Sequence, residues 1–170
     1  SVPSLTSAPR QPLTGTGKVT RDKSISHRSL MLSALAVGES HITGLLEGED
    51  VLATAEAMRA MGATVERLGD GEWRVSGVGV GGLMTPDNVI DMGNSGTSTR
   101  LIMGLIASHD ITVTMTGDAS LRGRPMGRVT VPLSEVGAQF AAREGKYLPL
   151  TITGTRDPMP IDYPPPMASA

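Results

Sequence analysis

The sequence predicts an α/β (α+β) fold made of a repeated β-α-β-α-β-β unit, with two units present and a third begun. Three observations predict it. Helix-period and strand-period stretches alternate along the chain from about residue 18. The run Ser24 to Ala36 (SISHRSLMLSALA) lies over Ser95 to Ala107 (SGTSTRLIMGLIA), which sets Arg28 against Arg100. Further on, Met61-Gly62-Ala63 matches Val136-Gly137-Ala138, so the repeat spacing is about 72 to 75 residues.

Residues 1–17 read as a flexible lead-in, polar and proline-bearing from Ser1 to about Gln11. The first unit spans about 18–80. Its first helix covers Ser24 to Ala36, with Asp22 or Ser24 as the cap and Leu30, Leu32 and Leu35 as the apolar positions. His41 to Leu46 is a short strand. Asp50 to Met61 sets Val51, Leu52, Ala55, Met58 and Met61 on one helical stripe of core residues, and Gly62 stops it. Ala63 to Arg67 and Glu72 to Val75 alternate as two strands around Gly69-Asp70-Gly71, with Trp73 on a half-buried face.

The second unit spans about 88–154. It predicts a strand at Val89 to Met92, a helix at Ser95 to Ala107 with Leu101, Leu105 and Ile106 as its apolar row, and a strand at Ile111 to Thr116. A helix over Pro125 to Val136 follows, stopped by Gly137, and then a hairpin of Ala138 to Ala142 with Leu148 to Thr153. Residues 164–170 open a third unit at Pro166-Met167-Ala168-Ser169-Ala170. The sequence looks cut there, or it encodes part of an assembly.

Composition narrows the function classes. In 170 residues, 39% are hydrophobic and 19% charged, enough for a buried core. Fifteen basic and seventeen acidic residues leave a formal charge of −2, which argues against a coat for nucleic acid or an anionic membrane. Aromatics at 2% provide no stacking platform for single strands. The absence of cysteine excludes disulfides, thiolate zinc sites and cysteine nucleophiles. No apolar run approaches the roughly 18 residues of a membrane span, and no secretory signal opens the chain. A cytoplasmic protein is expected. Only Lys18, Lys23 and Lys146 are lysines, and the remaining basic residues are arginines. Their planar donor forks suit a small anion carrying carboxylate or phosphate, although a GC-rich coding sequence would also favour arginine.

Three clusters could hold such an anion. Asp22-Lys23-Ser24-Ile25-Ser26-His27-Arg28 places a cation, hydroxyls and free N–H groups at a helix start. Gly93-Asn94-Ser95-Gly96-Thr97-Ser98-Thr99-Arg100 repeats that logic, with glycines that let a ligand approach the backbone. Either alone is also consistent with a capped helix and solvated charges. Equivalent places in a repeat favour a shared anion site. The third, Gly117-Asp118 through Arg122-Gly123-Arg124-Pro125-Met126, has Pro125 in a first helical turn and Arg124 at that positive end. Arg122, Arg124 and Arg128 are either anion ligands or a solvated basic face. His27, His41 and His109 lack metal-ligand spacing and are structural or exposed. Glu47, Glu49 and Asp50 read as a solvated helix start. Gly15-Thr16-Gly17-Lys18-Val19-Thr20 fails as a nucleotide loop because its first glycine and the hydroxyl after the lysine are missing.

The clusters resemble the signatures of a known family. Asp-Lys-Ser-Ile-Ser-His-Arg at 22–28 looks like the N-terminal signature of the 5-enolpyruvylshikimate-3-phosphate synthase family, in the bacterial branch that reads Ile-Ser-His-Arg. Gly93-Asn94-Ser95-Gly96-Thr97 with Arg100 resembles its central signature. Gly117-Asp118-Ala119-Ser120-Leu121 with Arg124-Pro125-Met126 resembles its third. Gly44-Leu45-Leu46-Glu47-Gly48-Glu49-Asp50 and Pro166 to Ala170 also fit, so the resemblance runs from about Lys18 to the last residue.

The resemblance implies an enolpyruvyl transferase-type fold of two domains, each of three such units about a pseudo-threefold axis. Residues 18–170 would then be part of the N-terminal domain of a protein more than twice as long. The implied activity is transfer of enolpyruvyl from phosphoenolpyruvate to the 5-hydroxyl of shikimate 3-phosphate, in aromatic amino acid biosynthesis, with no cofactor and no metal. It implies that Lys23, Ser24, Arg28, Ser169 and Ala170 bind shikimate 3-phosphate. Lys23, Asn94, Gly96 and Arg124 would bind phosphoenolpyruvate, and Lys23 would also serve in proton transfer. The family's catalytic carboxylates lie in the other domain, so this chain alone is expected to be inactive and to need that domain as partner. Gly96 would leave room for glyphosate. Two departures stand out: Thr20-Arg21 replaces the usual Pro-Gly, and Leu101 stands where one branch has proline. A UDP-amino-sugar enolpyruvyl transferase and a non-catalytic anion-binding module are the alternatives.

Overall fold

A computed structural model describes residues 15–18 and 22–156. The expectations for the lead-in, for Thr20-Arg21 and for the third-unit opening, with Ser169 and Ala170, lie outside the described residues. The first unit runs β1 (Gly15–Lys18), α1 (Lys23–Leu35), β2 (Val37–Thr43), α2 (Glu49–Ala60), β3 (Thr64–Gly69) and β4 (Glu72–Val78). The second runs β5 (Ile90–Asp91), α3 (Gly96–Ala107), β6 (Thr112–Thr116), α4 (Ala119–Arg122), α5 (Gly127–Glu135), β7 (Gln139–Arg143) and β8 (Tyr147–Thr153).

The repeat is also a repeat of topology. One sheet has the order β1-β2-β4-β3 and the other β5-β6-β8-β7. In each, the first pair is parallel and the other two pairs are antiparallel. Helix α1 packs on β4 and α3 packs on β8, while α2 meets both α1 and α3. One core therefore runs through both units. It takes Val51, Ala55, Met58, Val65, Trp73 and Val75 from the first, and Ile102, Met103, Ile106, Val113, Met115 and Ile152 from the second.

Two pairs of glycines explain why the units superpose. Gly62 and Gly137 follow the C-caps of α2 and α5 with φ of +111° and +113°, a region open to glycine. Each allows a back-turning bond that closes its helix: Ala63 N–H to the Met58 carbonyl at 3.1 Å for α2, and Ala138 N–H to the Leu133 carbonyl at 3.0 Å for α5. Gly77 and Gly154 serve a different need. A Cβ on Gly77 would overlap the carbonyl oxygens of Ser33 and Ala36 at the end of α1. A Cβ on Gly154 would overlap those of Ile106 and His109 at the end of α3. The same helix-on-sheet approach is built twice.

That approach overturns one sequence expectation. Leu32 is 56% exposed, whereas the buried face of α1 is Ser26, His27, Ser29, Leu30, Ser33 and Ala34. Small residues let α1 settle against β4, so apolar periodicity misplaces Leu32, while Leu30 is buried and Leu35 packs against the core as expected. Similarly, α3 buries Ile102, Met103 and Ile106, with Leu101 and Leu105 only half-buried. Strand β2 begins at Val37 rather than His41 because β4 extends past β1 and pairs Val37, Gly38 and Glu39 with Val78, Gly77 and Ser76, so that the ladder carries the weak strand formers Gly38 and Glu39.

Two further corrections concern the second unit. The four-residue α4, capped by Asp118, was too short for a periodic signal and adds a helix to the repeated plan. Helix α5 starts at Gly127 after the N-cap Met126, so Pro125 precedes the helix and Arg124 lies in the α4–α5 connection. The expected positions of Met58 and Met61 hold, since both are fully buried.

The close approach is testable. Gly77→Ala is expected to destabilise the chain by about 3 kcal/mol, the upper end for an overpacked core. Gly104, in α3, has open space around its missing Cβ. Gly104→Ala should therefore stabilise by up to about 1 kcal/mol through helix propensity alone. Urea unfolding midpoints of the two variants are expected to move in opposite directions.

Candidate functional site

The N-terminal end of α1 is set by Asp22, whose Oδ1 accepts from Ile25 N–H at 3.0 Å. Lys23 is therefore the first helical residue, half-exposed and paired with the Asp50 carboxylate at the start of α2. Ser24 and Arg28 are exposed and four residues apart, hence on one face of the helix. Ser26 and His27 turn inward, and the Ser26 hydroxyl accepts from Leu46 N–H at 3.0 Å.

The N-terminal end of α3 is built the same way. Ser95 caps it, accepting from Ser98 N–H at 3.2 Å. Gly96 is buried, and the space a side chain would fill is occupied by arginine: a Cβ there would be 2.8 Å from Arg124 Nη1 and 3.5 Å from Arg100 Nη2. Arg124 Nη2 donates to Asn94 Oδ1 at 3.5 Å. Asn94 Nδ2 in turn donates to both oxygens of Asp118, at 3.1 and 3.0 Å. The Asp118 carboxyl is held below its ordinary range, chiefly by the Leu121 backbone N–H, then by Asn94 and the Arg124 charge. Asp118 thus caps α4 and orients Asn94 together, a role the motif reading did not assign it.

The third cluster divides. Arg122 Nε donates back to the Asp118 carbonyl at 3.4 Å. Arg124 and Arg128, with Arg100 from α3 and with Pro125, Met126 and Val129, line a cleft of about 340 Å³. Among the described residues, no carboxylate lines that cleft. Arg100 and Arg128 have no hydrogen-bond or ion-pair partner among the described residues. Three guanidinium groups around one cleft repel one another unless water or an anion lies between them, so the cleft is chemically suited to a small anion.

Buried hydroxyls join the two helix ends. Ser98 Oγ lies 2.8 Å from the Asp50 carbonyl, 2.9 Å from Thr54 Oγ1 and 2.6 Å from Ser95 Oγ. His27 Nδ1 lies 2.8 Å from Thr54 Oγ1 and 3.3 Å from Ser98 Oγ. Asp50 therefore meets Lys23 through its side chain and α3 through its backbone. The structure brings Lys23 into contact with α2, and brings Asn94, Gly96 and Arg124 into contact with one another.

A family model described as EPSP synthase (3-phosphoshikimate 1-carboxyvinyltransferase) matches residues 7–170. The chain belongs to the EPSP synthase family. It is 67% identical over 159 residues to the 3-phosphoshikimate 1-carboxyvinyltransferase of Paracoccus denitrificans, covering 94% of this chain and 36% of that protein. It is 62% identical over all 170 residues to that of Acidiphilium cryptum, covering 38% of the relative. The structure of EPSP synthase from Acinetobacter baumannii aligns with a TM-score of 0.79 and 44% identity, over 95% of this chain and 36% of that one. The chain thus spans less than two-fifths of the length of these EPSP synthase relatives.

Two sequence readings near the site need correction. Glu47 and Asp50 are not simply solvated, although Glu49 is exposed. Arg67 holds Glu47 through two bonds, at 2.7 and 3.0 Å, and the Trp73 indole N–H donates to it at 2.7 Å. Trp73 is buried rather than half-buried. Its polar tip needs a partner, and Glu47 supplies one. Arg67 draws the Glu47 carboxyl from its ordinary 4.5 down to about 2, with Gly71 N–H and Trp73 adding to the effect against burial. The native state then binds fewer protons than the unfolded chain in that interval. Stability from this group is present above about pH 4.5 and lost as pH falls toward about 2. Glu47→Gln should flatten that acid limb, read as a smaller drop in the urea midpoint between those two pH values.

Proposed function

We propose that this chain supplies the N-terminal side of the cleft that transfers enolpyruvyl from phosphoenolpyruvate to the 5-hydroxyl of shikimate 3-phosphate, with release of phosphate. The observation that carries the reading is the guanidinium group of Arg124 standing over the bare Cα of Gly96 at the positive end of α3, with Arg100 beside it. One repeat earlier, Lys23, Ser24 and Arg28 are carried by the first two turns of α1, at the equivalent helix start. Two anions seated at two equivalent helix ends suit a reaction between two anionic substrates.

In this reading Ser24 and Arg28 hold shikimate 3-phosphate, together with Ser169 and Ala170. Asn94, Gly96 and Arg124 hold phosphoenolpyruvate. Lys23 touches both substrates and moves a proton, with Asp50 positioning its ammonium group. Addition gives a tetrahedral intermediate, and elimination then expels phosphate. Fixed guanidinium groups and helix N–H groups stabilise the charge that develops on the phosphate oxygens, and no metal or cofactor is required. The carboxylates that handle the remaining protons belong to the rest of the longer relatives, so this chain alone is inactive and needs that part as its partner. Placement in the cytoplasm accompanies the reading. No helix among the described residues is long and apolar enough to cross a membrane.

An NMR titration of this chain with shikimate 3-phosphate is expected to give saturable shifts at α1, lost in Arg28→Ala and absent with a UDP-amino sugar. Shifts with the UDP-amino sugar instead would assign the chain to the sister reaction. Binding of any phosphate monoester with equal affinity would leave a general anion-binding module. For the complete enzyme, Gly96→Ala puts a methyl group 2.8 Å from Arg124 Nη1 and is expected to raise the glyphosate inhibition constant. An unchanged constant would remove the steric role given to Gly96.

A further inference from the structure

The hydroxyl network between α1 and α3 admits one arrangement of protons. A carbonyl oxygen only accepts, so the single Ser98 hydroxyl proton goes to the Asp50 carbonyl. Ser98 Oγ then accepts from Ser95 and from Thr54. The Thr54 proton is spent in that bond, so its oxygen accepts from His27, and the proton on the imidazole is at Nδ1. The other ring nitrogen, Nε2, is buried and has no hydrogen-bond partner among the described residues. Burial lowers the pKa of His27; Asp50 opposes that and Lys23 adds to it, and the balance favours the neutral ring.

An imidazole kept in the core with one nitrogen unsatisfied costs stability that an apolar side chain of similar size would not. What it provides is a single directed bond, and that bond is the α1 end of a chain of buried side-chain hydrogen bonds that runs through Thr54 and Ser98 to the start of α3. We infer that His27 is a positioning residue, whose Nδ1–H acts through Thr54 and Ser98 to fix the spacing between the N-terminal ends of α1 and α3. The inference rests on the proposed function for its consequence, because those ends carry Lys23 and Arg28 on one side and Gly96 and Arg100 on the other. A core of hydroxyls and one imidazole has one register, whereas an apolar contact would let the helices slide.

The chain has no cysteine, so two introduced thiols carry spin labels without background. Leu32→Cys on α1 is exposed, and Gly104→Cys on α3 has open space around its Cβ. The distance distribution between the labels, measured by double electron–electron resonance without ligand, is expected to be narrow in the parent chain. It should broaden or shift in His27→Leu and in Thr54→Val, which removes the hydroxyl at nearly constant volume. His27→Asn, whose amide N–H can stand in for Nδ1–H, should restore it. Shikimate 3-phosphate should bind His27→Leu on the order of tenfold more weakly, the equivalent of one buried hydrogen bond, with His27→Asn again recovering. A parent-like distribution in folded His27→Leu, or an Asn variant as broad as the Leu variant, overturns the inference. If His27→Leu does not fold, Thr54→Val decides by the same distance criterion. Failure of the parent chain to bind shikimate 3-phosphate would count against the proposed function and leave the distance result standing.

Discussion

The Ser98 hydroxyl is the joint on which both halves of the site hang. It receives protons from α2 through Thr54 and from the cap of its own helix through Ser95, and gives its own proton to the Asp50 backbone. All of these groups except Asp50 are buried, so water cannot replace a lost partner and each bond is worth more than it would be at the surface. Helix α2 thereby becomes a spacer between two helix ends that carry the same kind of polar cluster. The repeat makes the ends equivalent, and the buried hydroxyls decide how far apart they stand.

Close backbone approach is the second constraint. Gly77, in β4, and Gly154, directly after β8, hold corresponding places, each beneath the carbonyl groups at the end of the first helix of its own unit. Over Gly77 the inner face of α1 is mostly serine and alanine around one leucine, Leu30, whereas α3 over Gly154 buries Ile102, Met103 and Ile106. The same economy of volume recurs at the site, where the missing side chain of Gly96 is the space that Arg124 and Arg100 approach. Small residues thus serve packing in the sheets and charge placement at the helix start.

Charge is distributed in keeping with this. Carboxylates near the site are engaged: Asp50 by Lys23, Glu47 by Arg67 and Trp73, Asp118 by Asn94 and its own helix start. Arginines facing the cleft at α3 are not neutralised by any carboxylate lining it. The near-neutral total charge of −2 therefore conceals a local excess of cation where the two anionic ligands are proposed to sit.

Much of this was written in local patterns. The helix caps Asp22 and Ser95, the stop glycines Gly62 and Gly137, and the alternating strands are decided by neighbours within a few residues, so the repeated unit and its two polar clusters were legible. Gly96 and Arg124 were legible as motif positions. Their mutual contact was not, because it depends on where the α4–α5 connection runs, and α4 is one turn long. Leu32 was misread because α1 is seated by small polar residues, and periodicity registers only apolar ones. The linkage of His27 to Ser98 spans 71 residues and two units. No local signal marks it, since a buried hydrogen bond between distant residues exists only once the two helices have been brought together by the core between them.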